Sequence, residues 1–191
     1  SDGFSAAIAA GNPDQITKDA YIELDQPPSH VIALGKAAGA MAEAVRNCGY
    51  DGSGIVITTD ENHRDIEGFN CIASAHPIPD ERGLDATNAV EGLVSELGET
   101  DHLLLLISGG GSALLPAPAR GISLAQKIAL NDVLLGSGLD IHAMNTVRRL
   151  FSRLKGGQLA RLAAPARITQ FLLSDVPGNA PESIASGLAV A

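Results

Sequence analysis

HLLLLISGGGSALL, residues 102–115, decides the reading of this chain: an unbroken apolar run stops at Ser108, Gly109, Gly110, Gly111 and Ser112. A short run without polar alternation, closed by glycines, predicts a strand covered on both faces, as in parallel α/β sheets. Three successive glycines let the chain turn with positive φ and leave amide N–H groups uncovered, so an anionic oxygen could collect several hydrogen bonds there. The hydroxyls of Ser108 and Ser112 add two donors. A glycine triplet can also be no more than a turn. Its place tips the reading toward a site, because ligands of open parallel sheets sit beyond the carboxyl ends of the strands.

Further apolar or β-branched runs at 31–34, 54–59, 71–75 and 168–173 predict four more strands. Between them the spacing of apolar residues predicts a helix around Met41, Ala42 and Val45, one over 81–97 capped by Asp80, one over 123–135 started by Ser123, and one over 141–154. Residues 4–10 read as the end of a helix stopped by Gly11-Asn12-Pro13, with an upstream part missing, and 14–30 as a polar connector. Pro116 and Pro118 argue against a helix directly after the glycines. Strands alternating with helices imply one domain over 1–191: a doubly wound, mainly parallel sheet in a Rossmann-like α/β/α sandwich with right-handed crossovers.

The 191 residues carry a net charge of −9, so the long-range field repels polyanions and argues against nucleic acid or an anionic membrane as partner. Any phosphate site must be a local exception. Cys48 and Cys71 show neither disulfide-framework nor zinc-ligand spacing. No run is long and apolar enough for a membrane span, and no signal peptide is visible, which makes the cytoplasm the default expectation.

Lys36 follows the 31–34 strand at the start of a helix, where the positive end of the macrodipole disfavours a cation unless a bound anion compensates it. A lysine pointing to water is the alternative. The surrounding Gly35-Lys36-Ala37-Ala38-Gly39 is neither a Walker A nor a GxGxxG pattern. His76 stands before Pro77 and Pro79, stiffly held, and could orient a substrate or merely close its strand. Arg148, Arg149, Arg153 and Lys155 place four of the thirteen Lys and Arg residues in one short segment, with Arg149 and Arg153 on a shared helical face. Part of this cluster complements the helix dipole; Lys155, before Gly156-Gly157, is the best ligand candidate. Asp175 lies just beyond the last strand, where it could hold magnesium or a substrate hydroxyl, or simply form a turn before Pro177-Gly178.

Five blocks in order, GKAAGAM (35–41), HPIPDERG (76–83), SGGGSALL (108–115), NTVRRLFSRLKGGQLA (145–160) and LSDVPGNAPESIASG (173–187), resemble the glycerate 2-kinase family, often labelled hydroxypyruvate reductase. The resemblance implies ATP- and magnesium-dependent transfer of a phosphoryl group to the 2-hydroxyl of D-glycerate. It also implies that Lys36 is the catalytic lysine, and that Ser108, Gly109, Gly110, Gly111, Ser112, Asn145, Arg149 and Lys155 bind substrate or phosphate. Asp175 is implied as catalytic, holding magnesium or accepting a proton. Such an assignment makes 1–191 the larger part of a two-domain protein whose second domain is absent, and leaves a homodimer open. The sequence leaves the family pattern after Gly187, where ASGPT would be expected and Leu188-Ala189 stands instead. Two other functions compete: an NAD(P)H-dependent hydroxypyruvate reductase, opposed by the absence of GxGxxG, and a non-catalytic domain that binds a hydroxy acid or phosphosugar.

Overall fold

The computed structural model describes residues 12–173 and 184–188. Five strands, β1 (His30–Leu34), β2 (Ser53–Thr58), β3 (Phe69–Ala73), β4 (His102–Ile107) and β5 (Arg167–Leu172), form one sheet in the order β3-β2-β1-β4-β5, with every pairing parallel. This is the doubly wound α/β arrangement expected from the sequence. Within it lie helices α1 (Pro13–Ile22), α2 (Ala38–Asn47), α3 (Glu81–Ser95), α4 (Gly111–Leu114), α5 (Leu124–Gly136), α6 (Ile141–Leu150) and α7 (Gln158–Ala163).

β4 is buried at all six positions, which explains its lack of alternation. Leu103, Leu105 and Ile107 face a core shared with Val90 and Val94 of α3 and Leu159 of α7. Leu104 and Leu106 face the opposite core, with Met41 and Val45 of α2. Each side chain of this strand therefore removes apolar surface from water, on whichever face it points.

Three local readings need correction. The supposed connector after residue 13 holds α1: Asn12 accepts the Asp14 N–H at 3.0 Å, and Pro13 occupies the first turn, so Asn12-Pro13 is a start signal for the helix that follows. A single helical turn, α4, fits between the glycines and Pro116, since one turn ends before the proline ring would clash. α6 ends at Leu150, short of 154, and the chain after it turns back to bridge Pro118 through Ser152. The helix read at 4–10 and the turn at 174–179, including Asp175, lie outside the described residues.

β1 and β4 are adjacent strands whose crossovers run in opposite directions, so the crevice of this sheet opens at their carboxyl ends.

Candidate functional site

The turns leaving β1 and β4 are bonded into one unit at that crevice. Ser108 donates its N–H to Leu34 O at 2.9 Å, Lys36 donates its N–H to Gly109 O at 2.9 Å, and Ala37 donates its N–H to Ser108 Oγ at 3.0 Å. Gly35, at φ +121°, permits this contact, because a Cβ there would lie 2.3 Å from Ser108 Oγ and 2.5 Å from its carbonyl oxygen. Ser108 is thus a buried clamp between the two turns and does not line the cavity beside them.

Of the three glycines only Gly110 takes a positive φ, +88°. A Cβ at Gly110 would sit 3.2 Å from His76 Cδ2 and 3.4 Å from Lys36 Cγ, so the loop, His76 and the stem of Lys36 pack at one point. Gly111 serves packing: its Cβ would meet Ala185 Cβ at 3.0 Å and Leu34 Cδ2 at 3.1 Å. Lys36 is exposed and stands at the edge, outside the cavity lining.

A cavity of about 530 Å³ lies beside this loop, lined by Gly109, Gly110, Gly111 and Ser112 together with Lys127, Asn131, Asp132, Asn145, Arg148 and Lys155. Lys155 is 3% exposed and donates from Nζ to Ser112 O at 2.8 Å. Lys127, on α5, is 8% exposed and donates from Nζ to Phe151 O at 2.6 Å. Arg148, on α6, donates from Nε and Nη2 to Asn131 Oδ1 at 3.0 and 2.6 Å, and from Nη1 to Asn145 Oδ1 at 3.3 Å. Asn145 Oδ1 also accepts from Ser186 Oγ at 3.3 Å, and Ser186 Oγ shares a hydrogen with Ser112 Oγ at 2.9 Å. Both Asn145 and Ser112 are therefore wired into the lining.

Among the described residues no carboxylate pairs with Lys127, Arg148 or Lys155. Burial pushes the Lys127 amine down to about 8, with the nearby Arg148 adding to the fall. Burial, then Lys127 and Arg148, drive the Lys155 amine well below the usual lysine range. Burial also lowers the Arg148 guanidinium. Bringing cations together where their hydrogen-bond partners are neutral oxygens is costly to the fold, and a bound anion is a partner that would relieve it.

The basic cluster of the sequence divides accordingly. Arg149 is not in the lining; its stem packs over Gly156, where a Cβ would lie 3.2 Å from Arg149 Cβ, Cγ and Cδ. Arg153 pairs with Glu91 of α3 at 2.9 Å and belongs to the scaffold. Arg148 does line the cavity, together with Asn145, three residues before it on α6. Lys127 and Asn131 escaped sequence reading. Their signal was available, since two polar residues four apart share one face of an otherwise leucine-rich α5. The described residues contain no group of three or more His, Cys, Asp or Glu side chains able to hold a metal.

No helix among the described residues is long and apolar enough to cross a membrane. Residues 1–191 match the family described as a domain of unknown function, DUF4147. A relative from Agrobacterium vitis, provisionally named a hydroxypyruvate reductase, is 40% identical over 190 residues, 98% of this chain and 43% of its own length. The D-glycerate 2-kinase of Thermotoga maritima is 38% identical over 188 residues, 95% of this chain and 44% of the relative. A solved structure of glycerate kinase from Thermotoga maritima superposes with a TM-score of 0.92 at 37% identity, covering 97% of this chain and 46% of that one. The chain thus spans about half the length of the relatives it matches.

Proposed function

The chain belongs to the DUF4147 family, and from that premise we propose that it serves ATP- and magnesium-dependent phosphoryl transfer to the 2-hydroxyl of D-glycerate. The observation that carries this reading is the convergence of Lys127, Arg148 and Lys155, without acidic partners among the described residues, on one cavity of a chain whose net charge is −9. In such a chain the cavity is a local trap for small anions. The names of the relatives then select which anion.

In the transfer, the 2-hydroxyl oxygen bonds to the γ-phosphorus, the bond from that phosphorus to the ADP oxygen breaks so that ADP leaves, and the hydroxyl proton passes through a base to solvent, a role for which the sequence offers Asp175. Little covalent help is needed beyond positioning and neutralisation of charge. Lys36, at the edge beside Gly110, is suited to meet negative charge growing on the transferred group. The amides of Gly109–Ser112 are suited to phosphate oxygens. The magnesium ion would travel on the nucleotide phosphates, with Asp175, outside the described residues, as the carboxylate the sequence offers it.

Reduction of hydroxypyruvate is the weaker reading. In a dinucleotide-binding sheet the amides of the first strand-to-helix turn hold the pyrophosphate. Here the Lys36 and Ala37 amides are already bonded to Gly109 and Ser108, and Gly35 is covered by Ser108. Phosphorus NMR of a mixture with ATP, magnesium and D-glycerate tests the proposal, using this chain and a version extended to the relatives' length. Appearance of 2-phosphoglycerate is expected. NADH oxidation by hydroxypyruvate with no phosphoglycerate from either form would replace the kinase reading.

A further inference from the structure

The part of the cavity wall contributed by α5 and α6 is made differently from the glycine loop. There the donors are side chains of α5 and α6, fixed by neutral amide oxygens. A guanidinium has five N–H groups, and three of those on Arg148 go to Asn131 and Asn145, which leaves two for a guest. An ammonium has three N–H groups, and one on Lys127 goes to Phe151 O, which again leaves two.

We infer that Lys127 and Arg148 form a carboxylate clamp, that Asn131 is the residue positioning it, and that the acceptor's carboxylate docks on this wall while the glycine loop is left to the phosphate. The inference rests on the reading of the cavity as a D-glycerate site and assigns its two ends. Three facts support the division. Asn131 Oδ1 receives two bonds from the Arg148 fork, so an amide already lies along one edge of the guanidinium and fixes its plane. Lys127 and Asn131 share a face of α5, set by the Ser123 capping box, while Asn145 and Arg148 share a face of α6. A carboxylate is planar and matches paired N–H groups, and charge-assisted bonds are roughly twice as strong as those to a neutral amide, so it outcompetes any neutral guest.

Asn131 touches no reacting atom in this scheme. Its work is to stop the long Arg148 side chain from wandering, which saves the rotamer entropy otherwise lost on binding. The clamp would also explain how a hydroxy acid is told from a plain polyol: a guest without a carboxylate leaves the buried Lys127 and the half-buried Arg148 without an anionic partner.

The test is calorimetric titration of the protein with D-glycerate, its neutral isostere D-glyceramide, and inorganic phosphate, each variant's Tm being recorded. D-glycerate should bind the unaltered protein at least about 50-fold more tightly than D-glyceramide does, a ratio within the range of one buried charge-assisted pair. Arg148→Gln should lower that ratio to within about fivefold by weakening D-glycerate alone. Asn131→Ala should lower it by about three- to tenfold at unchanged Tm, and Asn131→Gln, which restores an amide oxygen, should recover part of it; a merely structural Asn131 would weaken both guests equally. Should Arg148→Gln fail to fold, Lys127→Met carries the same expectation. A ratio that survives these substitutions overturns the clamp while leaving the cavity a D-glycerate site. Weaker phosphate binding with unchanged D-glycerate binding overturns it too, by handing the wall to the phosphate. No D-glycerate binding to the unaltered protein overturns both the clamp and the reading beneath it.

Discussion

Arg153 and Arg148 come from one basic cluster and do opposite things. Arg153 reaches Glu91 of α3, and on the same flank Arg82 pairs with Asp60 and with Asp80, the latter at 2.8 Å. These guanidiniums are neutralised by the fold itself. By contrast, Lys127, Arg148 and Lys155 face a cavity with amide and carbonyl oxygens as their only described partners. One flank spends its cations on stability; the other keeps them in deficit at a cost to stability. On the function proposed above, that deficit is the place held for a guest.

The contrast is easiest to break at its exposed end. Lys36 has no carboxylate partner among the described residues and little contact to lose, so Lys36→Ala should leave the Tm within about 1 °C while kcat for phosphoryl transfer falls roughly 10²–10³-fold. Melting curves and steady-state kinetics on the active form read this. Next, Lys155→Met replaces a buried amine by an apolar group of similar length. D-glycerate affinity should fall by about 10–100-fold and the Tm should rise, since the fold no longer desolvates an ionisable group. A Tm that drops by several degrees would show that the Ser112 bond matters more than the buried charge.

The Lys127 amine gives a pH signature. Its folded value of about 8 lies below the ordinary 10.5, so the folded state favours the neutral form, and stability contributed by this group grows as pH rises from about 8 toward 10.5. Anion binding runs the other way: it needs the ammonium, so affinity should weaken above about pH 8 by up to tenfold per unit, and binding at pH 8 should take up about half a proton. Titrations in buffers of different ionisation enthalpy would show both, and Lys127→Met should erase them. The smallest effect belongs to the paired flank. Arg153→Gln should cost less than about 1 kcal/mol in urea unfolding and leave D-glycerate affinity unchanged, because its ion pair with Glu91 is partly exposed and neither residue lines the cavity.

Much of this was legible in the residues. The five strands, the parallel sheet and the place of the glycine loop follow from apolar runs and their endings, since a fully buried strand has only one way to satisfy both faces. The Asp80 and Ser123 caps were equally readable. Two things were not. The start of α1 was hidden because Gly11-Asn12-Pro13 ends one pattern and opens another, and only the Asn12 bond to Asp14 decides between them. The split among the basic residues was hidden because Arg148, Arg149 and Arg153 are chemically alike; contacts with Gly156, Glu91 and Asn131, distant in the sequence, separate them. Lys127 looked like one more helical lysine until α6 folded over it.

Amide chemical-shift mapping while D-glycerate is titrated into the protein tests the central claim most directly. Saturable shifts should cluster at Gly109–Ser112 and at Lys127, Asn131 and Arg148, with the Arg82 flank silent. Shifts confined to the Arg82 flank, or none that saturate in the millimolar range, would contradict it.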